Sequence, residues 1–446
     1  MTIRHHRAVG ALAAASALAL TLTACGSGSD GGAAAEAMSP EDISAALEEG
    51  GDLLVWAWEP TLDKVVEDFE AEYPNVDVEL ANVGTGNDHY VALQNAISAG
   101  SGVPDVTQME YYALPQFSIG ESLADLAPFG ASELDSTYSP GPWGAVTEDD
   151  AVYGLPMDSG PMALFYNAKT FEKAGVDVPA TWEEFVTAAE KLHASDPNTY
   201  ITADNGDAGF ATSMIWQAGG HPFEVDGTDV TVNLADDGST KFTEMWQQML
   251  DDDLVATVPA WTDEWFQGLG NGEIAALVTG AWMPANLESG AAPASGDWRV
   301  APMPQWTAGA KETAENGGSA LSVTEASEQK ALAYGFLEYA NAGDGVATRL
   351  EGGNFPATLA DLTDEAFLAE ESEYFGGQKI NEVLSESATS VVTGWQYLPY
   401  QVYANSVFPD TVGQSYTGST PLADGLAAWQ QSIVGYGNEQ GFTVGE

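Results

Sequence analysis

The sequence predicts an α/β chain folded as two lobes. Its 446 residues exceed what one hydrophobic core supports, since single cores stop growing near roughly 250–300 residues. Hydrophobic residues make up 44% and aromatics 10%, well above an acidic disordered chain. Hydrophobic spacing also switches repeatedly between period two and period 3.6. The resulting β-α-β-α-β order implies a mostly parallel sheet covered by helices.

The chain opens with Arg4, His5, His6 and Arg7, then a weakly apolar run from Ala8 to Ala24. That run is alanine-rich and short beside the ~20 strongly apolar residues of a spanning helix, so it reads as a secretory signal. It ends in Leu22-Thr23-Ala24-Cys25, which resembles the bacterial lipobox; the competing reading is an ordinary signal peptide with an incidental cysteine. Cys25 is the chain's single cysteine, so no intramolecular disulfide can form. We therefore expect residues 1–24 to be a lipoprotein signal and residues 25–48, rich in Gly, Ala, Ser and acids, to be a flexible tether. A lipidated Cys25 would hold the protein on the outer face of the cytoplasmic membrane.

Beyond the tether, Leu53-Leu54-Val55-Trp56 is a buried-strand run. Leu62, Val65, Val66, Phe69 and Tyr73 lie on one helix face, stopped by Pro74. Val76, Val78 and Leu80 have strand spacing, and Tyr90, Leu93 and Ile97 mark a second helix closed by Gly100 and Gly102. Residues 104–109 give a third strand. Later, Thr181 and Glu184 form a capping box, Phe242 to Met249 stripe a helix, and residues 274–278 form a short strand. Ser327 is expected to open a helix carrying Leu332, Phe336 and Tyr339. No fixed-period repeat is visible, which excludes solenoids and propellers.

Twelve Lys+Arg stand against 67 Asp+Glu, a net charge of −55, which excludes gripping a phosphate backbone and so nucleic acid as a partner. Past the leader, the histidines His89, His193 and His221 lack H-E-x-x-H spacing, so no zinc site is expected. There is no nucleophile elbow and no phosphate loop, and Gly84-Thr85-Gly86 lacks the third glycine of a dinucleotide loop. Asp251-Asp252-Asp253 lacks calcium-loop spacing. The expectation is no enzyme, no cofactor and no metal.

Thirteen tryptophans are many, and several follow strands. Ligands of open α/β sheets bind outside the carboxyl ends of strands. Trp58 and Glu59 follow the first strand, Glu110, Tyr111 and Tyr112 the third, Asp158 follows Leu155-Pro156, and Trp282 follows Leu277–Gly280. Indole faces stack on the C–H face of a pyranose while carboxylates accept its hydroxyls. The pairing points to a saccharide ligand.

These residues sit in segments that resemble the extracellular solute-binding protein family 1, the maltose-binding-like class serving ABC importers. The resemblance runs from Leu53 to about Gln431. It is carried by Leu54–Glu59, Pro104–Glu110, Tyr153–Asn167, Thr181–Phe185, Asn271–Trp282, Gly317–Val323 and Phe355–Thr358, in the family's order. The resemblance implies a two-lobe periplasmic-binding-protein-like (type II) fold with hinge crossings near Asp158–Pro161, Gly317–Ser319 and Asn341–Val346. The first lobe would hold 49–157 and 319–342, the second 158–318 and 343–446. It also implies a monomer that captures a mono- or oligosaccharide between the lobes and delivers it to ABC permease subunits. The number of tryptophans favours an oligosaccharide.

Trp58 and Trp282 are the expected stacking platforms, with a core role as the competing reading. Glu59, Glu110 and Asp158 are expected hydroxyl acceptors, and Asp158 could equally serve the hinge. Tyr112, Trp216, Trp261, Trp395 and Tyr397 complete the aromatic set, whereas Trp56 and Trp265 are assigned to the core. Gly318 and Ser319 could donate hydrogen bonds, or the glycine could serve conformation alone. Many relatives carry an aromatic before the Gly-Gly pair; Asn316 stands there instead. Two other readings remain open: the same fold binding a polyamine, which needs carboxylates to dominate the cleft, and a cell-wall glycoside hydrolase, which needs a catalytic carboxylate pair.

Overall fold

A computed structural model describes residues 37–445; the signal and Cys25 lie outside the described residues. The first lobe is built on a five-stranded sheet ordered Val76–Ala81, Gly51–Trp56, Val106–Glu110, Ser319–Val323, Leu155–Pro156. Its first three strands are parallel. Ser319–Val323 runs antiparallel to both its neighbours. Leu53, Val55 and Ala57 are buried, while Leu54, Trp56 and Trp58 are half-buried. Trp56 is half-buried and packs against the first-lobe core, as does Trp58 just beyond the strand.

Three expected boundaries move. Residues 40–48 are not tether: Pro40–Glu49 is a helix capped by Ser39, and its buried Ile43 and Leu47 join the first-lobe core with Leu332, Ala333 and Phe336. The helix carrying Leu332 is Lys330–Ala342, three residues later than Ser327, whose hydroxyl donates to Asp105 and accepts from Gln329 N–H in the turn before it. Helix Gly345–Glu351 belongs with the first lobe: a Cβ on Gly345 would lie 3.1 Å from Val65, and Thr348 donates to Asp68. The third crossing therefore falls after Glu351, near residues 353–358, not at 341–346. There Ser159 N–H donates to the Phe355 carbonyl and Ser139 N–H to that of Ala357.

In the second lobe Met162–Asn167 is the central strand, paired antiparallel with Ala276–Gly280 and Trp298–Pro302. Both its faces are buried. Met162 and Leu164 join a core with Phe185, Trp246 and Trp429, while Ala163 and Phe165 join a second core with Trp298 and Phe375. A strand buried on both sides needs a continuous apolar run, which is why this segment shows no alternation. The Thr181 cap accepts from Glu184 N–H, but the Glu184 side chain reaches back to Ala180.

The first two crossings run side by side. Pro161 bridges Glu315, Asn316 N–H donates to the Gly160 carbonyl at 2.8 Å, and Met157 N–H to that of Ser319 at 2.8 Å. Approach is close: a Cβ on Gly160 would lie 2.4 Å from the Asn316 carbonyl oxygen. Among the described residues, no helix is long and apolar enough to cross a membrane.

Candidate ligand-binding cleft

On the first lobe, Trp58 and Glu59 leave the sheet immediately after strand Gly51–Trp56, and both their N–H groups donate to the Gln108 Oε1 at 3.0 Å. Trp58 rests edge-on against His89, ring centroids 4.9 Å apart. His89 is fully buried and pairs with the Thr107 hydroxyl at 2.9 Å. Burial lowers its pKa to about 4, so it supports the indole as a neutral ring. The Glu59 carboxylate accepts from both the backbone and the hydroxyl of Thr61. It therefore clamps the turn into helix Leu62–Glu72 rather than standing free for a ligand.

Glu110 ends its strand beside two phenols. Tyr90 donates to its Oε2 at 3.0 Å and Tyr112 to the same oxygen at 2.9 Å. Burial raises the Glu110 pKa, and these hydroxyls pull it back. The second oxygen, Oε1, is free of protein hydrogen bonds among the described residues. Burial also raises the Tyr112 phenol, with the Glu110 charge adding to it, so Tyr112 is a donor at any physiological pH.

At the crossings, Asp158 Oδ1 accepts from Ser319 N–H at 2.5 Å and from its hydroxyl at 3.2 Å. The Asp158 carbonyl accepts from Tyr111 at 2.6 Å. Asp158 is thus tied into the hinge, and Ser319, whose donors both point at it, is not a free ligand donor. Burial raises the Asp158 pKa to about 6, opposed by Ser319 and by Arg349. Gly318 serves conformation: its φ is +92°, and a Cβ there would sit 2.5 Å from the Tyr111 ring. Glu315, 2% exposed, accepts from Ser159 Oγ at 3.0 Å and Gly160 N–H at 2.6 Å. Its burial without a cation in contact pushes its pKa up to about 8.

On the second lobe, Trp282 donates from Nε1 to the Asn316 carbonyl at 2.7 Å. The indole lies where glycines make room: a Cβ on Gly280 would be 2.4 Å from Nε1 and one on Gly317 3.0 Å. Trp261 leans on Trp282 with centroids 5.6 Å apart and 34° between planes. It is 54% exposed and has φ +67°, a conformation that costs a bulky residue energy and tends to mark function. Trp265 lies in the core as expected.

Trp216 is a correction. It is 5% exposed, donates to the Val392 carbonyl and is covered by Trp395, stacked at 5.1 Å and 9°. It is the floor beneath Trp395, not a ligand contact. Trp395 and Tyr397 are half-buried, and Tyr397 packs against the cores of both lobes. Burial raises its phenol's pKa, and the charges of Glu315 and Glu110 add to the rise. Trp58, Glu110 and Tyr112 stand at strand ends of the first lobe, Asp158 lies on the first crossing, Trp282 is bonded to Asn316 on the second, and Tyr397 packs against both lobes. A separate groove of about 590 Å³, lined by His221, Phe223, Asp226 and Gln396, lies on the second lobe.

The sequence profile described as bacterial extracellular solute-binding protein matches residues 57–347. The chain belongs to this family. A lactose-binding protein of Rhizobium radiobacter is 26% identical, over 74% of this chain and 80% of that protein. An arabinooligosaccharide-binding protein of Halalkalibacterium halodurans is 24% identical, over 84% and 86%. Among solved structures, an ABC transporter associated binding protein from B. animalis subsp. lactis Bl-04 in complex with β-1,6-galactobiose is 48% identical. The match covers 89% of this chain and 99% of that one, with a TM-score of 0.80.

Sequence reasoning missed the polar frame of this solute-binding protein. Gln108 was the findable case, because it is a lone amide inside the apolar run of its strand and is 2% exposed; a polar side chain there must have partners. Tyr90 sits on the helix face read as core and is buried there, with its hydroxyl bonded to Glu110. Glu315 lies in an irregular segment without periodicity, so nothing in its spacing marks it as buried.

Proposed function

We propose that this solute-binding protein captures a neutral disaccharide or short oligosaccharide between its lobes and hands it to an ABC permease from the outer face of the membrane, anchored through Cys25. Trp282 carries the reading: a half-buried indole, seated where Gly280 and Gly317 leave room for it, is fixed to the second crossing by its bond to the Asn316 carbonyl, and in this reading the carboxylate of Glu110 serves the ligand from the other lobe. Stacking area on one side and a charge-assisted acceptor on the other suit a pyranose. The 48% identical relative bound to β-1,6-galactobiose makes galactose-containing disaccharides the first class to test. Only a closed arrangement lets both lobes touch one ligand, so binding would favour closure about the crossings.

Calorimetric titration against β-1,6-galactobiose, lactose, arabinooligosaccharides, maltose and spermidine tests the reading. One-to-one binding of one saccharide, with the sugar recovered intact, is expected. Heat with spermidine alone would support the polyamine reading, and release of monosaccharide would establish a hydrolase. For the anchor, a Cys25→Ala variant should leave the membrane fraction of expressing cells.

A further inference from the structure

We infer that Gln108 is a positioning residue that couples the Trp58–Glu59 platform to the interlobe crossings; its relevance to affinity rests on the binding reading above. The amide is buried in strand Val106–Glu110, and each of its ends is used. Oε1 accepts from Trp58 N–H and Glu59 N–H, both at 3.0 Å. Nε2 donates to Ser319 Oγ at 3.2 Å. The Ser319 hydroxyl donates onward to Asp158 Oδ1 at 3.2 Å, and Ser319 N–H reaches the same oxygen at 2.5 Å. Ser319 opens the strand that leaves the second crossing, and Asp158 lies on the first. A single side chain thus links the loop presenting an indole to both crossings.

The chemistry requires a carboxamide. Two backbone N–H groups need an acceptor, while Ser319 Oγ, whose proton goes to Asp158, needs a donor. A carboxylate would satisfy the first demand, fail the second, and add a buried charge near Asp158 and Glu59; an apolar side chain fails both. Rotation of the crossings during closure would move Ser319, and the amide would carry that movement to Trp58. The indole could then be oriented only when the crossings are set.

Amide hydrogen exchange tests the coupling without any ligand. Among the described residues no hydrogen bond joins Ser319 to Trp58 or Glu59, so a merely local role predicts no effect on their amides when it is changed. In Ser319→Ala, exchange at Trp58 and Glu59 should rise several-fold, and in Gln108→Met, which removes their acceptor, about tenfold or more. In the double variant it should not exceed that of Gln108→Met alone. Unchanged exchange at Trp58 and Glu59 in Ser319→Ala would overturn the proposal, and this arm decides even where Gln108→Met fails to fold. Titration with β-1,6-galactobiose adds the functional arm: Gln108→Met should lose about tenfold in affinity, equivalent to about 1.4 kcal/mol. Full affinity in a folded Gln108→Met protein would also overturn the proposal. Silence of the unmodified protein would count against the saccharide reading and leave the coupling to be decided by exchange.

Discussion

The two faces of the cleft are held in place by different physics. On the first lobe, Glu59, Glu110, Tyr112 and the Trp58 backbone are fixed by hydrogen bonds, to Gln108, to Thr61, and between Glu110 and its two phenols, while the Trp58 ring rests on His89. On the second lobe, Trp282, Trp261 and the Trp395–Trp216 pair are fixed by ring contacts, glycine clearances and indole N–H bonds to backbone carbonyls. A hydrogen-bonded face sets direction, and a stacked aromatic face supplies area with little direction. The first should therefore govern which hydroxyls are accepted, and the second how tightly a ring is held.

Trp282→Ala should break the aromatic face and cost about 100-fold in affinity by calorimetry, as loss of a central aromatic anchor does elsewhere. An effect as small as that of an exposed residue would mean the indole is only packing. At the crossings, pH separates the polar frame from the rings. Glu315 ionises near 8 when folded against 4.5 in the free side chain. Between these values the folded state keeps a proton that the unfolded state has lost. Stability is thus highest below about pH 4.5 as far as this group goes, and falls as pH rises through 8. Glu315→Gln should consequently gain in stability relative to the unmodified protein between pH 5 and pH 9, by about 4 kcal/mol at most. A constant offset across that range would show that the carboxyl is already charged in the fold.

Glu110→Gln should lose about tenfold in saccharide affinity, since it replaces a charge-assisted acceptor by a neutral one that cannot serve both phenols and a sugar hydroxyl. The loss should fall on saccharides differing in a single hydroxyl unequally, unlike that of Trp282→Ala. Trp261→Ala should have the smallest effect, about two- to fivefold, because an exposed ring in water contributes little. That loss should be larger for a trisaccharide than for a disaccharide if Trp261 extends the platform of Trp282.

The same division explains what the sequence disclosed. The placement of Trp282 was legible, because it follows a strand and its flanking glycines are visible as letters. The strand-helix alternation of the first lobe was legible for the same reason: one-sided burial leaves a period. Met162–Asn167 was not legible as alternation because both its faces are buried. Trp216 was misplaced because an indole beneath another indole reads like one above it. The hydrogen-bonded frame was mostly invisible, since Gln108, Ser319 and Asp158 meet only through sequence separations of 161 and 211 residues. Helix Gly345–Glu351 was given to the wrong lobe because its small apolar positions do not say which helices they approach.

The most direct test of the two-faced cleft is a crystal structure of the protein grown with β-1,6-galactobiose. The account predicts a galactose ring stacked on Trp282, with a hydroxyl within hydrogen-bond distance of the free Glu110 Oε1 and both lobes in contact with the sugar. A saccharide seated instead in the groove by His221, Phe223 and Gln396, touching neither Trp282 nor Glu110, would contradict it.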